Sequence, residues 1–265
     1  MKEPQQTNSN LKRSLPTNSP ISDFCDRFRL IVAATPKLRE EVYRIRYQVY
    51  CQELGYERKE DCPNGLEQDS YDSRSIHCLL LHSTSGLYAG CVRLVLPQLY
   101  SQDANLPFER IYGPTTAREI QQKNWQKQTL GEVSRLAVPV KFRKRPVGEP
   151  VGICDMFSEQ DRHCFPLIAF GLYLAATSVA IEVGLESAFG LMEPRLARHL
   201  TNFGIKFRQI GELVEFHGQR GLFQITREEV LNGMDTKTSE LFQKLRFEAK
   251  KSLNQLAPIC KRRAA

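Results

Sequence analysis

Residues 28–33 alternate basic and apolar side chains as a short β-strand does, and Pro36 then stands where a helix commonly begins. Leu38, Val42, Ile45 and Val49 follow at helical spacing, which sets Arg46 and Tyr50 one turn apart on an adjacent face. The β-rich runs Ile76–His82 and Tyr88–Leu96 are joined by a short Ser-Gly turn and predict an antiparallel hairpin, with an acidic loop between helix and hairpin. After a polar stretch with a short helix expected near Ala117–Lys127, Glu132–Val138 reads as a strand whose pairing ends at Pro139. An apolar helix, Pro166–Val183, comes next, then a short buried strand, Ser187–Met192, and a helix, Pro194–Phe203, stopped by Gly204. Phe207–Ile225, broken by the turn His217–Gly221, suggests a second hairpin. Leu241, Leu245, Phe247 and Leu253 give the last segment an amphipathic helical character. No internal repeat is present, and the order of elements describes a mixed sheet packed by helices, an α+β fold.

Composition narrows the picture. The first 27 residues are rich in Asn, Pro, Ser, Thr and Gln without a long apolar run, and read as a disordered tail rather than a signal peptide. Residues 28–225 form the expected main domain, and 226–265 a helical extension with a basic tail. The longest apolar stretch, Phe165–Ile181, falls just short of the roughly 18 residues of a membrane span and carries Gly171, Thr177 and Ser178, so it is expected to be a core helix and not a transmembrane segment. Eight cysteines without a CxxC pair point to free thiols in a reducing cytoplasm, and the five histidines form no ligand-spaced set with them, so no metal is expected. A net charge of +7 favours an acidic partner, for which nucleic acid, anionic lipid and an acidic carrier protein all qualify. The basic run Lys141–Arg145 lacks an interleaved aromatic platform or a helix-turn-helix pattern, which argues against nucleic acid.

Between Arg46 and Arg135 the charged and aromatic residues fall into five ordered blocks: Arg46, Tyr50 and Leu54-Gly55-Tyr56; Glu67, Asp69 and Asp72; Arg93 in Gly90-Cys91-Val92-Arg93-Leu94; Phe108 after Pro107; and Glu132-Val133-Ser134-Arg135. In this pattern the chain resembles the bacterial acyl-homoserine-lactone (autoinducer) synthases, of the GCN5-related N-acetyltransferase (GNAT) superfamily. Tyr50 and Tyr56 replace the family's Phe and Trp. With those exchanges and the long segment after residue 225, the chain looks more like the related N-acyl amino acid synthases and, most of all, the acyltransferases associated with exosortase (PEP-CTERM) sorting systems.

The resemblance implies a GNAT-like mixed sheet flanked by helices, with a splayed central strand pair that admits the pantetheine arm of an acyl donor near Leu136, Ala137 and Val138. It implies an N-acyltransferase moving a fatty acyl group from a thioester to an amino-acid-like amine, with no tightly bound cofactor. A non-catalytic acyl-donor sensor is the alternative use of the same fold. Glu67 is the implied base, Asp69, Asp72, Arg93, Glu132 and Arg135 form a charge cluster that positions the amine, plausible only if each buried charge is paired, and Ser134 is a further substrate-binding residue. Arg46, Tyr50 and Tyr56 belong to the segment that closes over the substrate, and Phe108 lines the acyl or the amine pocket. The Gly-rich phosphate turn of acetyl-CoA enzymes is absent after Val138, where Lys141, Arg143, Lys144 and Arg145 stand instead. Acyl carrier protein docking on that basic segment therefore fits better than coenzyme A, although a merely solvated loop has similar weight.

Overall fold

The computed structural model describes residues 20–97, 105–113, 129–143 and 157–254. Helix α1 (Pro20–Arg27) leads into strand β1 (Phe28–Val32), helix α2 (Pro36–Arg46) and a π-helical continuation, Tyr47–Glu53. The acidic loop then reaches the hairpin β2 (Ser75–His82) and β3 (Tyr88–Val95). Residues 107–113 form α3, followed by β4 (Leu130–Ala137), α4 (Glu159–Cys164) and α5 (Ile168–Glu182). The chain ends through β5 (Ser187–Met192), α6 (Pro194–Thr201), β6 (Arg208–Gln209), β7 (Val214–Glu215), β8 (Gln219–Thr226), α7 (Arg227–Gly233) and α8 (Thr236–Asn254).

Several expectations change in detail. Residues 20–27, grouped on sequence with the disordered tail, are helical: Pro20 opens α1, and Phe24 is buried against Gly171, where an added Cβ would stand 2.4 Å from the ring. The second hairpin is present, with its turn at Phe216–Gly218 rather than His217–Gly221 and its first arm divided into β6 and β7, both paired antiparallel with the long strand β8. Phe247 is 71% exposed, because the buried face of α8 runs through Leu241, Phe242, Leu245, Ala249 and Leu253. The helix expected near Ala117–Lys127 lies outside the described residues. By length and composition Glu159–Glu182 could cross a membrane, but its most apolar window is 89% buried inside the protein.

The sheet order is β1-β2-β3-β4-β5-β8-β6, with β7 beside β8. All neighbours are antiparallel except β4 and β5, which run parallel and pair only at Leu130↔Ser187, Gly131↔Ala188 and Glu132↔Phe189. Beyond Glu132 the two strands part, and β4 continues to Ala137 without β5. This is the splayed central pair.

Because alternate residues of a strand point to opposite faces, the register sorts the side chains. Ile76, Leu94 and Val133 lie in one row, join the main core, and face the apolar α5 and the buried stripe of α8. Glu248 of α8 accepts the Leu30 amide at 2.7 Å, covering a donor of the edge strand β1. The opposite face carries three rows. Ile31, Leu79, Cys91 and Ala137 make an apolar row under α2; His77, Arg93 and Ser134 make a polar row; Val95, Glu132, Phe189 and Gln224 make the third, against the residues around Phe108. A charged strip thus lies between two apolar clusters, and the third row crosses the register at which β4 and β5 part.

Candidate active site

Strand alternation would send Arg135 toward α5, beside Val133. It does not go there, because β3 spends one residue between Cys91 and Arg93 while β4 spends two between Ala137 and Ser134. Arg135 takes a left-handed φ of 51° in this bulge, a conformation that costs a non-glycine residue on the order of 1 kcal/mol. The bulge turns its guanidinium onto the polar row. There Nε reaches Glu67 Oε1 at 3.2 Å, and Nη2 reaches Glu57 Oε1 at 3.1 Å and Asp69 Oδ2 at 3.5 Å.

Two further arginines enter from other elements. Thr35 caps α2 by accepting the Leu38 amide, and Pro36 occupies its first turn, so the helix delivers Arg46 fully buried to the strip. Arg46 Nε donates to Glu67 Oε2, and Nη1 donates to Asp72 Oδ1 at 2.7 Å. Arg93 Nη1 donates to Asp69 at 2.5 Å and to the same Asp72 oxygen at 2.7 Å, while its Nε reaches Ser134 Oγ at 3.2 Å. The Asp69 amide closes the loop by donating to Asp72 Oδ2 at 2.8 Å. The spacing Glu67, Asp69, Asp72 therefore serves one purpose: a tight turn presents three carboxylates to three guanidiniums.

The electrostatics follow from these contacts. Burial works against the Asp72 carboxylate, but Arg46 and Arg93 outweigh it and hold its pKa well below the usual range. Asp69 is lowered in the same way, with Arg93 overcoming its burial. His77, 3.7 Å from Asp72, is pushed down to about 4, chiefly by burial with the two guanidiniums adding to it, and is neutral. Both oxygens of Glu67 are committed to guanidinium N–H groups.

Glu132 stands apart from these pairs. Its Oε2 accepts the Phe108 amide at 2.8 Å from the first turn of α3, and among the described residues no arginine bonds to it. The expectation that Glu132 belongs to the ion-paired cluster is corrected on that point: it lies one row over, beside Phe189 and the apolar cluster of Tyr71, Val95, Leu106, Phe108, Leu130 and Leu222. Burial pushes its pKa up to about 8. Phe108 is itself buried, its ring 5.0 Å from that of Phe189.

The segment after α2 covers the strip. Tyr50 donates its hydroxyl to the Leu136 carbonyl at 2.7 Å and lies under Arg135, 5.6 Å from its ring centre. Tyr56 stacks on His217 at 4.5 Å, tying this segment to the β7–β8 turn. Past the bulge, Leu136 is half-buried, Ala137 is buried under α2, and the Val138 carbonyl accepts Arg143 Nε at 2.8 Å. Lys141 is exposed, while Arg143 is paired with Glu53; Lys144 and Arg145 lie outside the described residues. Sequence reasoning missed Glu53, Glu57, His77 and His217. His77 was within reach of it, since the hairpin register sets it opposite Arg93, whereas the other three join the site only through the path of the covering segment. Among the described residues no three His, Cys, Asp or Glu side chains converge on a metal position.

Comparisons with known proteins bear on the fold that carries this site. Residues 45–150, which hold the strip, match the family model of the acetyltransferase (GNAT) domain. The acyl-homoserine-lactone synthase of Aeromonas salmonicida is 32% identical over 125 residues, 46% of this chain and 55% of that protein. The chain thus matches about half the length of this curated relative. Among solved structures, FeeM, an N-acyl amino acid synthase from uncultured soil microbes, superposes with a TM-score of 0.53 at 16% identity, covering 78% of this chain and 94% of FeeM. The CoA-dependent acyl-homoserine lactone synthase BjaI gives 0.52 at 15% identity, covering 83% and 89%. At such identities the likeness is one of fold: this chain has the GNAT-type fold that these synthases share.

Proposed function

We propose that this GNAT-fold chain is an N-acyltransferase of the acyl-homoserine-lactone and N-acyl amino acid synthase type, transferring a fatty acyl group from a phosphopantetheine thioester to the amine of an amino-acid-like acceptor. The observation that carries the reading is Glu132, a carboxyl poised near neutrality at the register where β4 and β5 part. An amine must lose a proton to attack a thioester, and a base works best when its pKa lies near the working pH. Glu132 meets that need, receiving the proton through a water. Glu67 was the base implied by resemblance. With both its oxygens held by Arg46 and Arg135, it takes a positioning role in this proposal.

The remaining groups divide the work. The amine nitrogen bonds to the thioester carbonyl carbon, the carbon–sulfur bond breaks, and the proton held by Glu132 passes to the departing sulfur, so that the amide and a free pantetheine thiol leave and the carboxylate is regenerated. The half-exposed Asp69 and Glu57 face the opening and attract a cationic amine, while Arg93 and Ser134 hold its polar groups. The apolar cluster around Phe108 and Phe189 takes the acyl chain. The donor lies along β4 from Leu136 to Val138, where the absence of β5 leaves room for the pantetheine arm. Its preferred carrier is an acidic acyl carrier protein, met by the exposed Lys141 and the basic residues after it, in a reducing cytoplasm that suits the six free thiols of the described residues.

Mass spectrometry of lipid extracts from cells expressing the chain, compared with cells expressing Glu132→Gln, tests the reading. New N-acylated amines are expected with the parent and not with the variant. Extracts identical to those of empty cells would instead favour an acyl-donor sensor without turnover.

A further inference from the structure

Glu53 ends the π-helical segment, and its carboxylate sits on the loop that leaves β4. Oε1 accepts from Gln48 Nε2 at 2.8 Å, both oxygens share the Val140 amide at 3.1 Å, and Oε2 accepts from Arg143 Nη2. Arg143 is steadied from behind by the Val138 carbonyl. Three donors, one of them a guanidinium, converge here on a single anionic group. One turn earlier on the same segment, the Tyr50 hydroxyl occupies the Leu136 carbonyl. The polar backbone groups just past the parting of β4 are thus engaged by side chains of the segment that covers the acceptor side.

We propose that Glu53 is a displaceable plug in the phosphate subsite of the donor: a phosphopantetheine-bearing donor binds by taking the Val140 amide and the Arg143 guanidinium from it. The inference rests on the acyl-transfer reading above. The pantetheine phosphate carries one negative charge as the phosphodiester of a carrier-protein donor and more as the diphosphate of coenzyme A or as free 4′-phosphopantetheine, so the exchange leaves Arg143 paired in each case, whereas the phosphate and the Glu53 carboxylate cannot share the subsite without repulsion. The phosphate is common to donors on a carrier protein and on coenzyme A, and the plug therefore acts on either. Displacement has a second effect. Glu53 shares its segment with Tyr50, and Tyr56 and Glu57 follow directly, bound to His217 and Arg135. Donor binding loosens the cover over the acceptor strip, and by linkage acceptor binding alters donor affinity by the same factor.

Glu53→Gln keeps the shape and an acceptor for Gln48 and Val140 but removes the charge that holds Arg143. Calorimetric titration of the parent and the variant with 4′-phosphopantetheine, pantetheine and inorganic phosphate tests the proposal. Phosphopantetheine is expected to bind the variant about three- to tenfold more tightly than the parent, since the plugged state no longer competes, while pantetheine is unchanged. In the unmodified protein, amide hydrogen exchange across residues 47–57 should speed up with phosphopantetheine and not with pantetheine, a readout independent of how the variant folds. Pantetheine binding alike to both proteins, with phosphopantetheine no tighter in the variant and no change in exchange, would overturn the plug while sparing the acyl-transfer reading. Inorganic phosphate binding the variant as tightly as phosphopantetheine does would overturn the assignment of the subsite to the pantetheine arm. If neither pantetheine compound bound the parent, the donor reading would fail and the plug with it.

Discussion

Replacing Glu132 by Gln should make the protein more stable and less active. The substitution keeps an oxygen to accept the Phe108 amide and replaces the other by an amide NH2, so the group can no longer ionise. In the folded protein the carboxyl titrates at about 8 against an ordinary 4.5, because burial disfavours its charged form. A carboxyl raised by folding contributes most below its unfolded pKa, and that contribution is lost as pH rises toward the folded value. Between these limits the unfolded chain is ionised while the folded chain still holds the proton, so folding requires proton uptake. At 1.36 kcal/mol per pKa unit, Glu132 disfavours the fold by about 1 kcal/mol at pH 5 and about 3 kcal/mol at pH 7, levelling off above pH 8. Glu132→Gln escapes this. Urea unfolding of parent and variant at pH 5, 7 and 9 should show an advantage for the variant that grows across the series. Acyl transfer in the same variant should fall by about 10²- to 10⁴-fold, and kcat/KM of the parent should rise with pH toward a pKa near 8. A stability difference that is equal at all three pH values would show that Glu132 ionises as a surface carboxylate does, and the reasoning that makes it the base would fail.

Asp72→Asn removes the negative charge shared by Arg46 and Arg93 and the acceptor of the Asp69 amide, leaving two buried guanidiniums short of a counter-charge, a loss of about 3 to 5 kcal/mol measurable as a lower urea midpoint. The parent's own Asp72 contribution is present above the unfolded carboxyl pKa and is lost as pH falls through the depressed folded value, so the gap between parent and variant should narrow in acid. Tyr50→Phe deletes the hydroxyl bond to Leu136 and should lower stability by about 1 kcal/mol; unchanged amide exchange in residues 47–57 would show that this bond does not hold the segment. Charge reversal at Lys141, Lys144 and Arg145 should weaken use of an acyl carrier protein most at low salt and spare a small pantetheine thioester, and equal loss with both donors would remove the docking role.

Much of this architecture was legible because it depends on period. The alternation of β1 to β3, the uniformly apolar α5 and the start of α2 at Pro36 follow from side-chain spacing, and the structure differs there by only a residue or two at the ends. The strip was legible for another reason: Glu67, Asp69 and Asp72 lie on one turn, so they come together wherever that turn goes. What escaped depends on events that spacing does not encode. The β4 bulge turns Arg135 away from the face of Val133 and onto the polar row, and a bulge of one residue leaves no mark on hydrophobic period. Phe247 misled because a helix face was chosen by counting large apolar residues, when the small Ala249 occupies the contact. Glu53, Glu57 and His217 enter through the tertiary path of the covering segment, which brings an acid 90 residues from Arg143 in sequence onto its guanidinium.

The central claim, that the parted strands and the strip beside them transfer an acyl group to an amine, is tested most directly with purified protein. Acyl carrier protein and coenzyme A thioesters would each be incubated with a mixture of amino acids and related amines, with free thiol followed by a colour reagent and the products by mass spectrometry. The account requires amide and thiol to appear in equal amounts with the parent, and both to be nearly abolished by Glu132→Gln while the variant still binds the donor. Thiol release without any amide, or amide formation at the parental rate in the Glu132→Gln protein, would contradict it.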